Sequence, residues 1–261
     1  MSRVAILVVA GGVLLALVMG SGPVNSPRAN SPESAARTRA IAAIKQSKAP
    51  TDPKPTKKVN CRRAKCVALT FDDGPVSQTR AVLSALRQRG ARATFFVLGN
   101  EATHNAKLLR RMVREGNAVG NHSWDHAMFS RLSSAAIRRE LQRTQRVITA
   151  ATGTTNNPVR VPYGENDARI RGAVNRSVHA PTVLWSVDPL DWKYRNSATV
   201  WRNVMSAVRP GAIVLLHDIH PTTRAAVPRI IRSLQARGYV LVTVPELFNG
   251  HLKAGRTYFR R

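Results

Sequence analysis

The chain has 261 residues, 43% of them hydrophobic, and a formal net charge of +27. Its length suits one globular domain of about 200 residues with extensions. Residues 1–58 hold 9 Lys/Arg against 2 Asp/Glu and residues 59–261 hold 32 against 12, which excludes a neutral domain with a basic tail; a domain this basic favours a polyanionic neighbour (nucleic acid, anionic lipid or an acidic cell-wall polymer), and charge alone does not choose among them.

Residues Val4 to Met19 form an uncharged apolar run of 16, preceded by Arg3. It is long for a signal-peptide core and short for a membrane span of about 20 residues. Residues 1–20 therefore read as a signal peptide or an N-terminal membrane anchor through residues 4–19, and both imply export. Residues 21–58 are rich in Pro, Ser, Ala and Lys, with Pro50, Pro53 and Pro55 closely spaced, and read as a disordered linker. Cys61 and Cys66 flank four residues; a local disulfide fastening the first strand is the expected reading in an exported protein, since a zinc site built on these two would lack its other ligands.

From Val59 onward strand and helix patterns alternate. Val67–Phe71 reads as a strand, Gln78–Arg89 as a helix, Ala93–Leu98 as a strand and Ala106–Glu115 as a helix. Ala118–Val119 leads into a histidine motif, Ser133–Ala151 is a long amphipathic helix, and Val159–Val161 is a short strand. Ala168–Asn175 is helical, Val183–Val187 a strand, Ala198–Val208 a helix, Ala212–Leu216 a strand, Arg224–Arg237 a helix and Val240–Val244 the last strand. Such repeats give a parallel sheet with covered faces. Polar, chemistry-bearing residues follow successive strands, which favours a closed (β/α) barrel; an open doubly wound sheet is the alternative, but no Gly-rich phosphate loop follows the first strand. The domain is expected to run over 59–250, with 251–261 a basic C-terminal tail.

Five motifs carry the chemistry. Asp72-Asp73-Gly74-Pro75 puts two carboxylates at the tip of the first strand, where like charges need a cation beside them. His122-Ser123-Trp124-Asp125-His126 spaces two histidines by four, as on one face of a helical turn, and with one carboxylate of the Asp pair they make a His₂Asp set suited to a catalytic zinc. Asp125 would point away from the His face. In Arg160-Val161-Pro162-Tyr163-Gly164, Arg160 can pair with a carboxylate and the Tyr163 backbone N–H can serve an oxyanion. In Trp185-Ser186-Val187-Asp188-Pro189-Leu190-Asp191-Trp192, Trp185 is expected in the core and Trp192 in a cleft. In Leu215-Leu216-His217-Asp218-Ile219-His220, His217 follows the strand directly; an acid such as Asp191 beside it would hold it protonated as a general acid. His220 reads as a loop residue, as do His104, His179 and His251. No G-x-S-x-G elbow supports a serine nucleophile.

These five motifs, in this order, resemble the polysaccharide deacetylase family, also called carbohydrate esterase family four or the NodB-homology domain. The resemblance covers roughly Val59 to Asn249. It implies a distorted (β/α) barrel of the NodB-homology type as a single catalytic domain, a divalent metal (zinc, with Co²⁺ as an alternative), and removal of N-acetyl groups from N-acetylglucosamine polymers. By resemblance, Asp73, His122 and His126 match the metal ligands and Asp72 the general base. Arg160 matches the residue that orients that base, and the Tyr163 N–H the oxyanion donor. Asp191 matches the partner of the general acid His217, while Trp192 and Leu215 match the walls of the acetyl pocket. Val161 stands where many members have a second proline, and the stretch from Arg169 to Pro181 is less typical. The implied function is a metal-dependent N-deacetylase of a cell-envelope glycan, foremost peptidoglycan, in a secreted or membrane-anchored protein facing an anionic wall. Alternatives are a chitin-oligosaccharide or acetylxylan deacetylase and, in another class, a non-catalytic basic wall-glycan-binding protein. Nucleic acid is not an expected partner.

Overall fold

The computed structural model describes residues 59–261, so the expected leader or anchor and the linker lie outside the described residues. The apolar run after Cys66 forms strand β1 (Cys66–Asp72), buried at every position. With β2 (Ala93–Val97), β3 (Ala118–Asn121) and β5 (Ile213–His217) it makes a parallel sheet in the order β3-β2-β1-β5. Strand β6 (Val240–Leu241) pairs with Cys66 and Val67 at the start of β1, below the point where β2 takes over at Leu69.

The two-residue period of a strand sorts the side chains. Val67, Leu69 and Phe71 of β1 face outward with Phe95, Val97, Val214 and Leu216, and pack under the helices. Ala68 and Phe96 face inward with Ile213 and Val242. Thr70 and Asp72 share that inward face, so the same alternation that builds the core aims Asp72 into the barrel mouth. The outer layer is α1 (Thr79–Gln88), α2 (Gly99–His104), α3 (Ala106–Arg114), α4 (Ser134–Thr152), α5 (Ala168–Val178), α7 (Ser197–Ala207) and α8 (Pro221–Ala236). Their buried residues recur every three to four positions, as in Ile137, Leu141, Thr144 and Ile148 of α4. The Ser133 side chain caps α4, and Gly153 ends it at φ 76°.

Closure of the barrel is irregular. Strand β4 covers only Thr182–Val183, and Val159 contributes a single bridge to Asn121 and another to Thr182. Val187 bridges back to Val214 of β5. The expected strands at Val159–Val161 and Val183–Val187 are therefore shorter than read from sequence. Pro162 has no N–H to extend a ladder, and the carbonyls of Val183 and Leu184 are taken by the Arg160 guanidinium, at 3.0 Å each. The expected strand to Val244 also ends early. Thr243 and Glu246 form a capping box that opens a one-turn helix, α9 (Val244–Leu247). The result is a mixed α/β distorted barrel in a single domain.

Cys61 and Cys66 are joined by a disulfide. Within the stretch 251–261, Thr257–Tyr258 form a further strand, β7, parallel to β4. No helix among the described residues is long and apolar enough to cross a membrane.

Candidate active site

Parallel register sets the centre of the site. In the β1–β5 ladder Asp72 and His217 are direct Cα partners, both at the C-terminal ends of their strands. The fully buried Arg160 fixes the first of them: Nη1 donates to Asp72 Oδ1 at 2.8 Å and to Thr70 Oγ1 at 2.7 Å. Its guanidinium carbon also lies 4.1 Å from the centre of the Phe96 ring. Burial raises the Asp72 pKa, and the opposing pull of Arg160 does not cancel the rise. One oxygen of Asp72 is thus tied down and the carboxyl is more basic than usual.

Asp73 follows with a left-handed φ of 70°, which swings its side chain away from the Asp72 direction. Its Oδ1 lies 3.5 Å from His122 Nε2 and 3.6 Å from His126 Nε2, and it has no hydrogen-bond partner although buried. The three ligand atoms all fall within 4.8 Å of one another. Four-coordinate zinc with ligands at about 2.0–2.2 Å spaces its donors by roughly 3.4 Å, so an orphaned carboxylate oxygen between two ring nitrogens fits a single divalent cation. His122 Nδ1 donates to the Arg160 carbonyl at 2.7 Å, which leaves the Nε2 lone pair facing Asp73. Burial pushes the His122 pKa down to about 3, keeping the ring neutral.

The two histidines do not lie on a helical turn, contrary to the sequence expectation. Residues 122–126 form a loop with Ser123 at φ 72° and His126 at φ 65°. Side chains replace the i→i−4 ladder: the N–H groups of Ser123, Trp124 and His126 donate to Asn121 Oδ1, Glu140 Oε2 and Ser123 Oγ. Asp125 is exposed, as expected for a residue off the His face. The strand that delivers the loop needs Gly120, since a Cβ there would meet the Phe96 ring at 2.4 Å.

Across the cavity His217 Nδ1 is 2.9 Å from Asp191 Oδ1. Asp191 is fully buried; its Oδ2 accepts from the His217 N–H at 2.8 Å and from Thr223 Oγ1 at 2.7 Å. Burial alone would lower the His217 pKa, but the Asp191 hydrogen bond and charge, with help from Asp72 and Asp73, raise it to about 9. Asp191 in turn is held below the ordinary carboxylate range by those same bonds, despite its burial. A base-like carboxyl, a three-donor cation site and a protonated imidazole therefore face one another.

These groups line one cavity of about 490 Å³, whose walls include Trp185, Trp192 and Leu215. Tyr163 has a left-handed φ of 60°, and among the described residues its N–H donates to no protein acceptor. Its ring stands edge-on to His126 at 4.5 Å. Every site residue expected from the sequence is brought to this cavity or its supporting layer. Two residues read otherwise also belong to the wall. Trp185, expected in the core, packs against the inner core cluster but is only half-buried and also lines the cavity, where Gly164 leaves room for its ring. His220, read as a loop residue, is 9% exposed and precedes α8; the turn bonding its N–H to the His217 carbonyl folds its ring to 5.7 Å from that of His217.

The family profile described as polysaccharide deacetylase matches residues 59–179. Peptidoglycan-N-acetylglucosamine deacetylase PgdA of Listeria monocytogenes is 40% identical over 196 residues, covering 75% of this chain and 41% of that protein. Peptidoglycan-N-acetylmuramic acid deacetylase PdaC of Bacillus subtilis is 41% identical over 184 residues, covering 70% of this chain and 38% of that protein. The chain thus spans about two fifths of the length of these curated relatives. A solved structure described as T48 deacetylase with substrate is 40% identical with a TM-score of 0.73, covering 77% of this chain and 99% of that one.

Proposed function

Since this chain belongs to the polysaccharide deacetylase family, we propose that it is a metal-dependent hydrolase removing N-acetyl groups from N-acetylglucosamine residues of peptidoglycan. The observation that carries this reading is the pairing, across one cavity, of a basic buried carboxyl with an imidazole whose pKa is about 9. Amide hydrolysis needs both: a base for the attacking water and an acid for a leaving amine that is a poor leaving group unprotonated.

Asp73, His122 and His126 would hold the cation. When bound, a divalent ion such as zinc supplies Lewis acidity toward the acyl oxygen and makes water a better nucleophile at neutral pH. Asp72, held by Arg160 through one oxygen, accepts the water proton on the other. The Tyr163 N–H donates to the oxyanion that develops on the acyl group. His217 gives its Nε2 proton to the departing nitrogen, and Asp191 fixes that tautomer by accepting from Nδ1. Acetate and a free glucosamine result. Trp192 and Leu215 flank the acetyl methyl and help exclude water. An exported chain, secreted or anchored through residues 4–19, would act at an anionic cell envelope, which the basic charge of residues 59–261 favours.

Asp191→Asn tests the acid. Removing the charge takes away the main influences that raise the His217 pKa, so the alkaline limb of the kcat profile, expected near pH 9 in the wild type, should move down by one or more pH units. The sign follows from the acid's role, since activity is lost as pH rises through the pKa of the group that must stay protonated. An unmoved limb would mean that His217 is not the acid. The substrate is tested by acetate release from peptidoglycan, chitin oligomers and acetylxylan in parallel. Preferred release from peptidoglycan supports the reading; release confined to chitin or xylan would keep the chemistry and move the substrate; binding without release from any would favour a wall-glycan-binding protein.

A further inference from the structure

Arg195 stands at the edge of the cavity and has no part in the chemistry above. It ends the short helix α6 (Asp191–Tyr194), is exposed, and adopts φ 45°. Its Nε donates to the Trp192 carbonyl at 2.7 Å, and its Nη1 lies against His220 Nδ1. Among the described residues it forms no ion pair with a carboxylate. The guanidinium is therefore anchored along one side, between two cavity-wall residues, with no partner for its second terminal nitrogen among the described residues.

The contact also dictates the state of His220. A guanidinium only donates, so His220 Nδ1 must accept, and the ring proton sits on Nε2. Burial and the adjacent Arg195 charge both oppose protonation of the ring, in agreement with this tautomer. The charges around the ring are Arg195, His217, Asp73 and Asp191, and Asp191 is already committed to His217 and Thr223. The rim thus presents a fixed cationic donor and a neutral N–H donor, with no acid among the described residues hydrogen-bonded to either.

We propose that Arg195 and His220 form an anion subsite beside the catalytic cavity that takes a carboxylate of the bound glycan, so that the enzyme prefers acidic glycans to neutral ones. A planar guanidinium edge matches the two oxygens of a carboxylate. The subsite rests on the reading of the cavity as a glycan site. A muramic acid unit next to the acetylated sugar offers this group where its lactyl carboxyl carries no stem peptide, whereas a chitin oligomer offers only neutral hydroxyl and acetamido groups.

The test compares kcat/KM of the zinc-loaded full chain on a muramic-acid-containing oligosaccharide and on the same oligosaccharide with its carboxyl reduced to an alcohol. The wild type should favour the carboxylate form by roughly tenfold or more, the scale of one charge-assisted hydrogen bond, and the preference should shrink as ionic strength rises. Arg195→Gln should bring the ratio close to one, Arg195→Lys should leave part of it, and His220→Phe should lower it. A wild-type ratio near one overturns the proposal, as does a ratio that Arg195→Gln leaves intact, and in either case the catalytic reading stands. No turnover of either form by the wild type overturns the catalytic reading and the subsite with it.

Discussion

Asp72→Asn is expected to lower kcat by about 10³-fold, within the range of roughly 10²–10⁴ that a positioned general base supplies, while zinc and glycan still bind. The reasons are local. Asn keeps an oxygen that can accept from Arg160 Nη1, so the support under the side chain survives. The Asp73, His122 and His126 donor set does not include Asp72, so the cation site is unchanged. What is lost is the second carboxylate oxygen as a proton acceptor. Steady-state acetate release, together with zinc stoichiometry and glycan binding on the same preparation, checks each part. Turnover equal to wild type would remove Asp72 as the base.

Arg160→Met should cost about 3–5 kcal/mol of stability, the usual penalty for removing one partner of a buried ion pair. Arg160 is fully buried, and Asp72 beside it is 2% exposed. The substitution strands the Asp72 carboxyl, the Thr70 hydroxyl and the carbonyls of Val183 and Leu184 without their donor. For a domain of this size such a loss lowers the Tm by roughly 10 °C. Activity should fall with it, because Asp72 without its cation is driven further toward the neutral acid. Denaturant unfolding of both proteins gives the difference, and a loss below about 1 kcal/mol would contradict the buried-pair account. The opposite pair, His217 with Asp191, leaves a pH signature. The folded His217 pKa of about 9 lies above the ordinary 6.5, so its stabilising contribution is complete below pH 6.5 and disappears as pH rises through about 9.

Much of this site is written in short strings of sequence. A strand that is apolar throughout and ends in two acids can only deliver them at its tip, and Val67–Phe71 did so within one residue at each end. The long helix after Ser133 was legible from its period and its cap. The shape of the His122–His126 loop was not. Four-residue spacing suits a helix, yet Asn121, Glu140 and Ser123 side chains supply the acceptors that a helix would have supplied from its backbone. The fragmentary strand around Val183 was over-read for a related reason, since the carbonyls of Val183 and Leu184 serve Arg160, which no local pattern reveals; the one around Val159 stops at Pro162, which has no N–H to extend a ladder. The late strand β7 had a local signal in Thr257-Tyr258-Phe259, a β-favouring run hidden within a basic segment. His220 reached the cavity through the tight turn after His217, and Trp185 through tertiary placement. The strand expected to hold Trp185 ends at Val183, and the space above Gly164 leaves room for its ring at the cavity wall.

The central claim is that one divalent cation held by Asp73, His122 and His126 makes this cavity an amide hydrolase for peptidoglycan. Acetate release from purified peptidoglycan tests it most directly, measured on the protein after metal stripping and again during titration with zinc. The account predicts negligible release from the stripped protein, recovery that saturates at one zinc per chain, and no recovery in His122→Ala at the same zinc concentration. Full release from the stripped protein, or equal recovery in His122→Ala, would contradict it.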